Sequence, residues 1–61
     1  MNNYRGSPPV TGKMAAFIKY LLKKGWYQHD IAALLGINQG RISEVNSGAI
    51  HPGIEPSSDW P

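Results

Sequence analysis

Two histidines and five serines are the most reactive side chains in this sequence, and none is placed to react. His29 and His51 lie far apart, with no carboxylate or thiol neighbour at metal-ligand spacing. Ser7, Ser43, Ser47, Ser57 and Ser58 stand in no nucleophile motif, and there is no cysteine. Catalysis, a metal site and a cofactor are therefore not expected. Recognition chemistry is better provided for. The Gln39 amide carries a donor and an acceptor and can pair with both edge groups of adenine. Arg41 can bond guanine through two N–H groups or hold a phosphate, and its competing use is an ion pair with a nearby acid. Glu44 can accept from a cytosine amine, repel phosphate or pair with a lysine, so it is not counted among the recognition residues.

These groups need a scaffold, and the stretch Gln28–Val45, QHDIAALLGINQGRISEV, supplies one. Ile31, Ala32 and Leu35 form an apolar stripe on one short helix. Gly36 follows, where a left-handed residue ends a helix at least cost. Ile37 is expected under the turn, and Asn38 is a good N-cap for a second helix over Gln39–Val45. Ile42 and Val45 are three apart on its buried face. Ala32 matters because a larger side chain would push two closely crossing helices apart.

Counted from Gln28, the apolar residues fall at the fourth, eighth, tenth, fifteenth and eighteenth positions, a small residue at the fifth and glycine at the ninth. In this pattern the stretch resembles the helix-turn-helix of phage Cro and repressor-type regulators, and the run IAALLGINQGRISEV resembles small bacterial and phage regulators. The resemblance implies that the second helix of the pair enters the DNA major groove by its N-terminal residues. Asn38, Gln39, Gly40, Arg41 and Ser43 then form the recognition end. Gly40 lets the backbone approach DNA closely, although it weakens the helix by about 1 kcal/mol relative to Ala. Gln28, at the start of the first helix of the pair, is implied to meet a backbone phosphate, with His29 beside it. Asn46 and Ser47, just past the second helix, are expected to reach the flanking backbone. Tyr27 stands where many relatives have a Thr or Ser cap; its hydroxyl can reach a phosphate, or the ring can simply pack.

Elsewhere the chain is organised around these helices. Thr11 can cap a first helix in which Met14, Phe17, Ile18, Leu21 and Leu22 repeat at helical spacing, and Gly25 ends it. That stripe reads as core, Trp26 as a lid over it, and Leu34 as facing either the first helix or a second subunit. Residues 1–10, with Gly6, Pro8 and Pro9, read as a flexible arm whose one candidate DNA contact is Arg5. Residues 49–61 read as an extended tail, because Pro52, Gly53 and Pro56 bar a long helix. Ile50, Ile54 and Trp60 suggest that the tail lies over the first helix of its own chain or crosses a second subunit. The second arrangement is favoured, since one helix-turn-helix needs a twin for specific binding.

The charge distribution suggests an anionic partner for the first half or, equally, a solvated helix face. Residues 1–29 hold Arg5, Lys13, Lys19, Lys23 and Lys24 and no acid, whereas residues 30–61 hold Arg41 against Asp30, Glu44, Glu55 and Asp59. The halves are +5 and −3, which sum to the net +2. No apolar run approaches the roughly 20 residues of a membrane span, and the first residues lack an apolar leader core. The absence of cysteine fits a reducing cytoplasm. The expectation is therefore an all-α protein: an arm at 1–10, a three-helix helix-turn-helix domain at 11–48 and an extended tail at 49–61. It would be a cytoplasmic regulator of transcription, a repressor, binding double-stranded DNA as a homodimer. The competing expectation is a protein-interaction module that docks on a repressor, a sigma factor or RNA polymerase.

Overall fold

A computed structural model describes residues 9–61; Arg5 and most of the expected arm lie outside the described residues. The described chain is all-α, with α1 at Gly12–Lys23, α2 at Gln28–Leu35 and α3 at Gln39–Ser47. No strand occurs among the described residues.

Each helix begins and ends for a local reason. Thr11 starts α1, its side-chain oxygen accepting the Met14 N–H at 3.2 Å. Gly25, at φ +94°, ends it. The Gly25 N–H then reaches the Leu22 carbonyl and the Trp26 N–H the Leu21 carbonyl, which satisfies the last turn. Tyr27 precedes α2 with extended backbone but gives no side-chain cap. Gly36, at φ +69°, closes α2, and the Ala32 carbonyl accepts from both Gly36 and Ile37. Asn38 caps α3 through a 2.7 Å bond from the Gly40 N–H to its Oδ1. Here α3 runs two residues beyond Val45, because the first residue able to turn left-handed at low cost is Gly48, at φ +85°.

Three helices pack around an apolar centre. Ala15, Ile18 and Leu21 come from α1, Ile31 and Ala32 from α2, Ile37 from the turn, and Ile42 and Val45 from α3. Among the described residues no polar or charged side chain is buried, so the core carries no desolvation cost of that kind. Ile37 sits under the α2–α3 turn as its position predicts. One expectation is corrected and another narrowed. Trp26 is 42% exposed and is not a lid. The left-handed Gly25 turns the chain outward there, and Tyr20, Leu22, Leu35 and Ile50 flank the core instead. Leu34, at 56% exposed, is not packed against α1; of its two expected positions, the one facing a second subunit remains.

The tail lies along α1 of its own chain. Lys19 Nζ donates to the carbonyls of His51 and Ile54, each at 2.7 Å. His51 Nε2 lies 2.6 Å from the Val10 carbonyl. A carbonyl can only accept, so this nitrogen carries the proton. The same contact ties Val10, expected in the arm, to the body, where it packs partly buried against the core. Farther along, the Ser57 N–H donates to the Ala16 carbonyl at 3.0 Å. Trp60 then stacks on Phe17 with centroids 5.8 Å apart, and Phe17 stacks on Tyr20 at 6.2 Å. The two pairings contribute about 0.5–1.5 kcal/mol each beyond area burial.

Candidate nucleic-acid interface

Helical periodicity sorts the side chains of α3. Ile42 and Val45 point inward and are almost fully buried. Opposite them lie Gly40, Ser43, Glu44 and Ser47, with Gln39 and Asn46 flanking one side and Arg41 the other. Gln39, Gly40, Arg41 and Ser43 are all exposed. The first turn of α3 therefore presents one amide, one guanidinium and a bare backbone between them. A Cβ on Gly40 would lie 3.1 Å from Asn38 Oδ1, so the residue also leaves room for the cap.

Polar bonds already join several of these groups. The Ser43 hydroxyl donates to Gln28 Oε1 at 2.6 Å, which fastens the start of α2 to the middle of α3. Arg41 Nη2 lies 3.2 Å from Glu44 Oε2, within one turn of the helix. Both side chains are over a third exposed, and such pairs contribute about 0.2–1 kcal/mol. A bidentate contact to a base discriminates by about 1–3 kcal/mol. The exposed pair can thus open at small cost and leave the Arg41 guanidinium to another acceptor. Glu44 Oε1 is buried with no hydrogen-bond partner among the described residues.

The remaining predicted residues fall as follows. His29 is exposed in the first turn of α2. Gln28 is half-buried and held by Ser43. Asn38 has its side-chain oxygen on the α3 cap. Asn46 and Ser47 belong to the last turn of α3 rather than to the segment beyond it, since Gly48 sets the helix end. They line an open cleft of about 430 Å³ with Lys19, Leu22, Lys23, Val45, Gly48 and Pro52. Of the basic residues in the first half, Lys19 is engaged by the tail, and Lys24 lies 5.4 Å from the Tyr20 ring centroid. No group of three or more His, Cys, Asp or Glu among the described residues can hold a metal ion, and none of their helices is long and apolar enough to cross a membrane.

The Ser43–Gln28 bond is what reading the sequence missed. Ser43 and Gln28 are fifteen residues apart, and only the crossing of α2 over α3 brings them together. The Arg41–Glu44 pair was visible as helical i, i+3 spacing. In comparisons with known proteins, no family model, no curated protein and no solved structure matches this chain.

Proposed function

We propose that this chain is a sequence-specific double-stranded DNA-binding regulator of transcription, acting as a repressor through occupation of promoter DNA. The α2–turn–α3 unit serves as a helix-turn-helix of Cro/repressor type, with α3 in the major groove. The observation that carries the reading is the first turn of α3. Gln39, Gly40 and Arg41 are exposed there, immediately ahead of a residue, Ile42, that anchors the helix in the core. A rigid helix with hydrogen-bonding side chains at its N-terminal end has the form that base-edge readout requires. Gln39 meets adenine, Arg41 meets guanine or a phosphate, and Gln28 and His29 approach the backbone. Gly40 brings α3 close to the groove floor. Two copies on an inverted repeat supply the specificity that one unit lacks.

A gel-shift titration against duplex DNA across salt concentrations tests this reading. Affinity should fall steeply as salt rises, because phosphate contacts release counterions. Binding that ignores salt, or no binding, would count against it.

One observation favours a second reading. Trp26, Tyr27 and Leu34 are large apolar side chains left in solvent, and exposed apolar surface marks protein contacts. On that reading the chain docks on a repressor, a sigma factor or RNA polymerase. Its complex with such a partner would be nearly insensitive to salt.

A further inference from the structure

The 2.6 Å bond between Ser43 and Gln28 gives Ser43 a different task from its neighbours on α3. A serine hydroxyl has one proton, and here that proton goes to Gln28 Oε1. What remains on Ser43 Oγ is acceptor capacity alone. On Gln28 the bond takes the carbonyl oxygen, so the two Nε2 protons are directed away from Ser43. A free glutamine side chain has three rotatable torsions; a half-buried one fixed at its carbonyl end has far fewer accessible poses. The amide is therefore held ready as a donor, at the corner where α2 begins beside α3.

We infer that Ser43 is a positioning residue: it fixes the Gln28 amide so that Nε2 donates to one DNA phosphate, and it does not itself read a base. The inference rests on the DNA-binding reading and adds to it a division of labour on α3. Gln39 and Arg41 carry sequence preference. Ser43 carries affinity through Gln28, without regard to sequence. Phosphate oxygens accept and never donate, so the pose that Ser43 imposes, with N–H outward, is the one a phosphate requires. The reverse amide pose would set a carbonyl oxygen against the phosphate and repel it.

Single methylphosphonate substitutions, which remove the charge and an acceptor oxygen from one phosphate at a time, make the inference testable. Binding of wild type, Ser43→Ala, Ser43→Thr, Gln28→Ala and the double variant is measured on a selected duplex, on a scrambled duplex and on the methylphosphonate series. Wild type should lose affinity at one phosphate in each half-site. Ser43→Ala and Gln28→Ala should each bind both natural duplexes roughly fivefold more weakly, the scale of one net hydrogen bond. Both should become insensitive to the methylphosphonate that wild type senses, and the double variant should be no weaker than either single one. Ser43→Thr, which keeps the hydroxyl, should restore the wild-type pattern. A helix pair merely loosened by the mutation would still sense that phosphate. Changed base preference in Ser43→Ala overturns the inference, as do multiplying losses in the double variant or retained sensitivity to the methylphosphonate. Wild type that binds neither natural duplex instead overturns the DNA-binding reading itself, and the inference falls with it.

Discussion

On the proposed reading, Gln39 and Arg41 are the side chains that carry sequence readout. Replacing either with Ala on a preferred duplex should cost about 1–3 kcal/mol and relax the preference at the base it meets. Equilibrium binding to a set of single-base variants checks both results; unchanged affinity and preference in both mutants would move the contact elsewhere. Glu44 would act in the opposite sense on that reading: it pairs with Arg41, and its carboxylate would bring a negative charge toward the DNA. Glu44→Gln should therefore strengthen binding to scrambled DNA, measured at low salt where the charge is least screened. Weaker binding would mean that Glu44 orients Arg41 instead. At this scale much was legible in the sequence. Thr11 and Asn38 are capping residue types at helix starts, and both cap. Gly36 was legible because no other residue turns left-handed so cheaply. Ser43 was not, because its partner is set by the angle between two helices and no local rule encodes that angle.

Between elements, the crossing of α2 and α3 is the determining feature. Ala32 is 7% exposed beside Ile31, Ile37, Ile42 and Val45 in the same cluster. In a core this small there is little else to yield, so Ala32→Leu should overpack it and cost roughly 1–3 kcal/mol. For a domain of about this size, each kcal/mol lowers the melting temperature by roughly 4–8 °C. Thermal unfolding followed by circular dichroism measures the shift, and a wild-type midpoint would contradict the close crossing. The three helices themselves were legible from apolar spacing. Trp26 lies where two helices meet, which favours a lid, but it follows a left-handed glycine and is 42% exposed. Periodicity says which residues share a face but not where a chain goes after a turn.

Over the whole molecule, the tail completes the fold on its own α1 and not by the expected crossing to a second subunit. Lys19 is the fastening, with one ammonium on two carbonyls from residues 51 and 54. Hydrogen bonds from a charged donor contribute about 1.5–3 kcal/mol in favourable sites. Lys19→Met keeps the aliphatic stem and removes the donor, and it should lower the melting temperature and expose Trp60 to solvent. Trp fluorescence would show a red shift; emission and midpoint equal to wild type would mean that the strap does not depend on Lys19. The sequence marked the tail as extended and partly apolar, but a lysine aimed at backbone carbonyls leaves no pattern to find. Lys19 keeps its positive charge, but its ammonium is turned to the tail's carbonyls.

Selection of bound sequences from a random duplex pool asks whether α3 reads double-stranded DNA through the end bearing Gln39 and Arg41. If it does, a defined site is enriched, an inverted repeat with half-sites about one helical turn, or roughly 10 base pairs, apart. A pool that stays as random after several rounds as at the start would contradict that reading.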